Sequence, residues 1–234
     1  MGWRGRLADV ARFAVRPSYA AQPMAWGRAA ALALAVVLAL DMALYALFHA
    51  LAHVLGAQGS VLPRPLDVPA SLAKDVFTGV LLAPALEEAL FRGWMRGQIA
   101  ALSFAVYGFA AFGLFAASLI VPVQFAMTMA VAAAGMAFAG LLHWGSTAQR
   151  ETAVPEWFTR HFALLVWGST LLFGLIHLGN YEPLTHPLGL LVVLPQTIGG
   201  LLLAYTRTRL GLGAAIAHHA AYNAVFLLLD YAGW

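Results

Sequence analysis

The chain has 234 residues, of which 62% are hydrophobic and 10% charged, with a mean hydropathy of +0.80. That balance lies outside the range of soluble globular domains and inside that of polytopic membrane proteins. The formal net charge is +3 and the pI about 9.5, a surplus that membrane topology accounts for without nucleic acid. There is no cysteine, which excludes disulfides and thiolate metal sites.

Ahead of the first apolar run, Trp3, Leu7, Val10 and Ala14 share one helical face while Arg4, Arg12 and Arg16 share another. Residues 1–28 therefore read as a basic amphipathic segment suited to an anionic membrane surface. Residues 29–234 read as one transmembrane domain, an all-α polytopic helix bundle. Apolar runs of about 20 residues are the length needed to cross the hydrocarbon core. Seven are expected, at 29–55, 72–99, 103–121, 123–143, 161–179, 187–206 and 211–232, with Pro122, Pro155 and Pro183 among the residues that punctuate the connections.

Lysine and arginine set the orientation. With the N-terminus in the cytoplasm, Arg4, Arg6, Arg12, Arg16, Arg28, Arg92, Arg96, Arg150, Arg160, Arg207 and Arg209 lie on or toward that side, and only Arg64 and Lys74 lie opposite. A multi-pass protein of a cell inner membrane is expected. Its alanine-rich composition, with arginine far above lysine, points to a GC-rich bacterial genome.

The first run carries Asp41, Tyr45, His49 and His53 at i, i+4 spacing. This stripe reads as a polar seam between helices, or as a proton relay in a transporter. The second run, "LLAPALEEALFRGWM", holds Glu87, Glu88 and Arg92 within six residues. An ionisable side chain at the bilayer centre costs roughly 2.5 to 3.5 kcal/mol, so such residues face a bundle interior and often mark function. Glu88 and Arg92 have the spacing and order of a same-face ion pair. Glu87, about 100° around the helix, is left to point into a cavity. In "FGLIHLGN" Phe173 and His177 share a face, and in "AHHAAYNAV" so do His219 and Asn223. Counted along their spans, Glu87, His177 and His219 differ in depth by roughly 12 Å at most, an offset that helix tilt absorbs.

The three pieces, EExxxR at Glu87 to Arg92, FxxxH at Phe173 to His177 and HxxxN at His219 to Asn223, resemble in type and order the motifs of the CPBP (CAAX protease and bacteriocin-processing, also called ABI) family of intramembrane proteases. The resemblance covers about 80–99 and 165–230. It implies a glutamic endopeptidase without cofactor. Glu87 would activate water with the aid of His177, His219 and Asn223 would bind the oxyanion, and Glu88, Arg92 and Phe173 would support them. The implied partners are a membrane protein or peptide substrate and the lipid bilayer. The 89 residues between Glu87 and His177 exceed the family's usual spacing, so the runs at about 103–143 read as an inserted hairpin. Three rival readings stay open: a zinc hydrolase with Glu87, His177 and His219 as ligands, a transporter that uses the Asp41 stripe, and a non-catalytic scaffold of the same fold.

Overall fold

A computed structural model describes residues 2–66, 71–150 and 153–232. It is all-helical, 80% helix without strands among the described residues. The helices are α1 Trp3–Val15, α2 Arg28–Val54, α3 Leu72–Asp75, α4 Ala83–Arg92, α5 Ile99–Ser118, α6 Val123–Thr147, α7 Glu156–Ile176, α8 Leu194–Leu210 and α9 Leu212–Tyr231. A π-helical stretch, Val76–Leu82, joins α3 to α4, and 3₁₀ turns cover Gly93–Arg96, His177–Asn180 and Pro187–Val193.

Among the described residues six helices are long and apolar enough to span a membrane: Arg28–Val54, Ile99–Ser118, Val123–Thr147, Glu156–Asn180, Pro187–Leu210 and Leu212–Tyr231. The second expected run, 72–99, is not among them. From Leu72 to Arg96 the backbone is continuously helical, but it changes hydrogen-bond pattern three times. Lys74, Asp75, Glu87, Glu88, Arg92 and Arg96 break its apolar surface. Irregular helix of this kind survives at membrane depth only where protein or a cavity satisfies the backbone.

The chain divides into two compact units, residues 1–88 with 162–234, and residues 89–161. In the second unit α5 and α6 form an antiparallel pair. The Cβ of Tyr107 lies where a Cβ on Gly140 would have to go, so Gly140 is what lets the two helices approach. Phe91 packs edge-on against Phe109 and Trp94 against Phe158.

In the first unit α8 is central. In its span 61% of the most apolar window is buried, against 17% for α2 and 22% for α9, whose outer faces are left for lipid. Small residues suit that position: Gly199, Gly200 and Ala204 are buried, and a Cβ on Gly199 would meet the Asp41 carboxylate at 3.4 Å. A Cβ at Gly174 of α7 would collide with the Thr197 hydroxyl of α8, so that contact exists only because residue 174 is glycine. A single residue, Gly211, connects α8 to α9. Its φ of 98° with ψ of 170° is open to glycine but strained for any other residue, and it turns the chain back at once.

The buried face of α1 carries Arg6, Val10 and Phe13, while Trp3 is exposed. The expected apolar face of Trp3, Leu7, Val10 and Ala14 is thus rotated. The cause is polar anchoring: Asp9 accepts from the Tyr205 hydroxyl at 3.0 Å and from Arg209 Nε at 3.3 Å, and Phe13 packs edge-on against Tyr205. Burial pushes the Asp9 carboxyl up, but the Tyr205 hydroxyl and the Arg209 and Arg12 guanidiniums together hold it below its ordinary value.

Candidate active site

A cavity of about 710 Å³ lies within the first unit. Glu87, His177, His219 and Asn223 all line it, together with Phe173 and Asp41. These residues come from α4, the 3₁₀ turn after α7, α9, α7 and α2, so the site assembles only when the bundle does.

Glu87 Oε2 is buried and has no hydrogen-bond partner among the described residues, an orphaned acceptor in the cavity wall. It lies 3.9 Å from His219 Nε2, too long for a hydrogen bond. The other ring nitrogen of His219, Nδ1, is 3.0 Å from Glu88 Oε1. Since a carboxylate accepts, Nδ1 carries the proton, and Nε2 is turned toward Glu87. Glu88 is fully buried and thus orients a histidine of the cavity, a role the expected ion pair with Arg92 did not include. Arg92 is itself buried, at 1% exposure, in the second compact unit.

His177 Nδ1 is 2.7 Å from the Phe173 carbonyl oxygen. A carbonyl only accepts, so Nδ1 is again the protonated nitrogen and Nε2 the acceptor of the neutral ring. The FxxxH spacing has a local cause: one helical turn separates the two residues, so the ring reaches back to the Phe173 carbonyl. Phe173 also packs at a tilt against His177, centroids 4.7 Å apart, and meets His219 edge-on at 6.0 Å. Its ring forms an apolar wall between the two imidazoles.

Asn223 Nδ2 donates to the Gly79 carbonyl at 2.8 Å. That carbonyl belongs to the π-helical stretch, where a lone helical turn of the wrong pitch presents an oxygen to a neighbour. The carboxamide has a second N–H hydrogen to offer.

Two features escaped the sequence reading. His218, the neighbour of His219, is 1% exposed, and its Nε2 stands 3.3 Å from Asp41 Oδ2. The pair is within ion-pair range but not aligned as a hydrogen bond. The Thr206 hydroxyl donates to the Leu202 carbonyl at 2.9 Å and so accepts from His218 Nδ1 at 3.0 Å. The doublet of histidines was the available signal, since consecutive residues on a helix face different neighbours. Gln196 is the second feature. Its Nε2 donates to the Tyr181 hydroxyl at 3.1 Å, while its Oε1 is buried with no partner among the described residues, and the residue lines the cavity. A lone glutamine after Pro195 in an apolar span was the only trace of it in the sequence.

The Asp41, Tyr45, His49, His53 stripe does not run as one seam. Asp41 is buried and Tyr45 packs on Tyr222 and Phe226, but His53 is exposed. Among the described residues no three His, Asp or Glu side chains form a group that could hold a metal ion.

No curated protein and no solved structure matches the chain. A family model, described as Type II CAAX prenyl endopeptidase Rce1-like, matches residues 69–225. The match covers about two thirds of the chain and takes in Glu87, Glu88, Arg92, Phe173, His177, His219 and Asn223. With six membrane-length helices among its described residues and the family's match over most of its length, this chain is a multi-pass membrane protein that belongs to the Rce1-like family of CAAX endopeptidases.

Proposed function

We propose that the chain is an intramembrane endopeptidase that hydrolyses a peptide bond in a membrane-associated protein by a glutamate-activated water. The observation that carries this reading is the orphaned Glu87 Oε2 in a cavity shared with His177, His219 and Asn223.

Amide hydrolysis needs a base for water, charge stabilisation for the oxyanion and a proton for the leaving amine. Glu87 takes the proton of the attacking water as its oxygen bonds to the scissile carbonyl carbon. His177 Nε2, the acceptor of its ring, holds the same water by the other hydrogen. The electron pair displaced from the carbonyl becomes the oxyanion, which receives hydrogen bonds from the second N–H of Asn223 and from His219 Nε2. Donation from Nε2 requires a doubly protonated ring, with the Glu88 carboxylate accepting from Nδ1. Collapse breaks the C–N bond, and the proton held by Glu87 passes to the amine. A well-placed oxyanion donor is worth roughly 3 to 4 kcal/mol.

The N-terminus is assigned to the cytoplasm on the distribution of arginine, and the protein to a bacterial inner membrane on its alanine-rich, lysine-poor composition. Cofactor-free chemistry is part of the proposal. It predicts that purified protein holds no stoichiometric zinc and keeps its activity in chelators that leave the fold intact. One zinc per chain, lost and restored together with activity, would favour the metal reading instead. The central test compares wild-type and Glu87→Gln proteins. The amide keeps size and loses basicity, so cleavage should fall by orders of magnitude while insertion and thermal unfolding are unchanged. Near wild-type turnover in that variant would refute the mechanism.

A further inference from the structure

The residues that line the cavity lie toward one end of the first unit. In the first unit one end is defined by Arg28, by Gly211 and by the segment after α1, tied there by a hydrogen bond from Met24 N to the Arg209 carbonyl at 2.7 Å. The opposite end is defined by the last turn of α9 and by two loops joined to each other, Leu66 N to the Asn180 carbonyl and Glu182 N to the Arg64 carbonyl, both at 2.9 Å. Lys74, Asp75, Asn180 and Asp230 line the cavity and all belong to this second end. Lys74, Asn180 and Asp230 are exposed there. At its deep limit the cavity reaches Asp41 and Leu203, each well short of the first end.

Charge distinguishes the two ends. Arg4, Arg6, Arg12, Arg16, Arg28, Arg207 and Arg209 belong to the closed end, and only Arg64 and Lys74 belong to the open one. Positive residues in short loops and at helix ends stay on the cytoplasmic side. We propose that the cavity opens to the non-cytoplasmic face of the membrane. Its substrate is then a segment of an exported, membrane-anchored protein that enters from that face, and not a lipidated tail presented from the cytoplasm. The substrate class rests on the endopeptidase reading above; the direction of access does not.

The absence of native cysteine makes the direction directly measurable. Thr78→Cys and Asp230→Cys place single thiols at the open end, and Gln22→Cys places one in the segment between α1 and α2. Spheroplasts carrying each variant are treated with a membrane-impermeant maleimide before and after permeabilisation. Thr78→Cys and Asp230→Cys should react fully in intact spheroplasts, and Gln22→Cys only after permeabilisation. The reverse pattern would overturn the proposal. Terminal-peptide mapping of membranes from cells with wild-type or Glu87→Ala protein then tests the substrate. New termini that depend on Glu87 should lie in non-cytoplasmic or outer-leaflet segments of anchored proteins, and termini confined to cytoplasmic tails would refute that class. No Glu87-dependent termini at all would refute the endopeptidase reading, while the labelling pattern alone decides the direction of access.

Discussion

Replacing Asp41 by Leu, His218 by Phe, and both together measures what the buried pair contributes to the bundle. The two side chains are 4% and 0% exposed and 3.3 Å apart. His218 Nδ1 already donates to Thr206, so attraction between Nε2 and Asp41 requires a second proton between ring and carboxylate. Removing either partner leaves the other buried and uncompensated, a change that costs about 3 to 5 kcal/mol. Asp41 also lines the cavity, which makes the lower end, about 3 kcal/mol for each single variant, the expected cost. The double variant leaves no orphan, and replacement of a buried pair by apolar groups of similar volume is often close to neutral. It should therefore cost no more than either single variant, a coupling of at least about 3 kcal/mol, at or above the top of the range for residues in contact. Unfolding in mixed detergent micelles, followed by circular dichroism under reversible conditions, gives the four free energies. Single-variant costs that add to within about 0.5 kcal/mol would show that the two groups do not interact.

Asn223→Ala should lower kcat strongly and leave KM nearly unchanged, because an oxyanion donor acts only in the transition state; an equal rise in KM would show ground-state binding instead. Glu88→Gln should impair His219 more than it impairs folding, with a fall in turnover that exceeds any loss of thermal stability; equal losses would make Glu88 a purely structural residue. Gly211→Ala should destabilise by about 1 to 3 kcal/mol, since φ there is 98°, and unchanged unfolding would contradict the strained turn. The anchoring of α1 by Asp9 should persist above the ordinary carboxyl value of 3.8 and be lost as pH falls through the lowered folded value. Limited proteolysis between α1 and α2 would report that loss, and Asp9→Asn should remove the transition.

The helical class, and most of the spans, follow from apolar run length, because the bilayer imposes one length on every crossing segment. The motif residues of α4, α7 and α9 could be grouped from sequence, since i, i+4 spacing fixes a shared face without knowledge of the neighbours. Partner identity could not be obtained in the same way. Glu88 reads as the partner of Arg92 by local spacing, yet the contact that orients the site is with His219, 131 residues away. His218 and Gln196 carry no periodic signal, because each acts through contacts beyond its own helical turn. The break in the 72–99 run was hidden for a related reason. A π-helical hydrogen-bond pattern depends on what accepts and donates around it, here the Asn223 carboxamide on Gly79, and local composition does not encode that.

The π-helical stretch also sets how the chain tolerates changes in length. In Val76–Leu82 each hydrogen bond closes over one residue more than in an α-helix, so the backbone holds slack. Loss of one residue there can be absorbed by a return to ordinary α turns, with Glu87 still aimed into the cavity. Loss of one residue between Ala83 and Leu86 finds no such slack, because α4 is regular, and it swings Glu87 by about 100° around the helix. Two deletions of equal size, about one turn apart, should therefore have opposite outcomes, and natural length variation in this protein's lineage should fall before Ala83 and not after it.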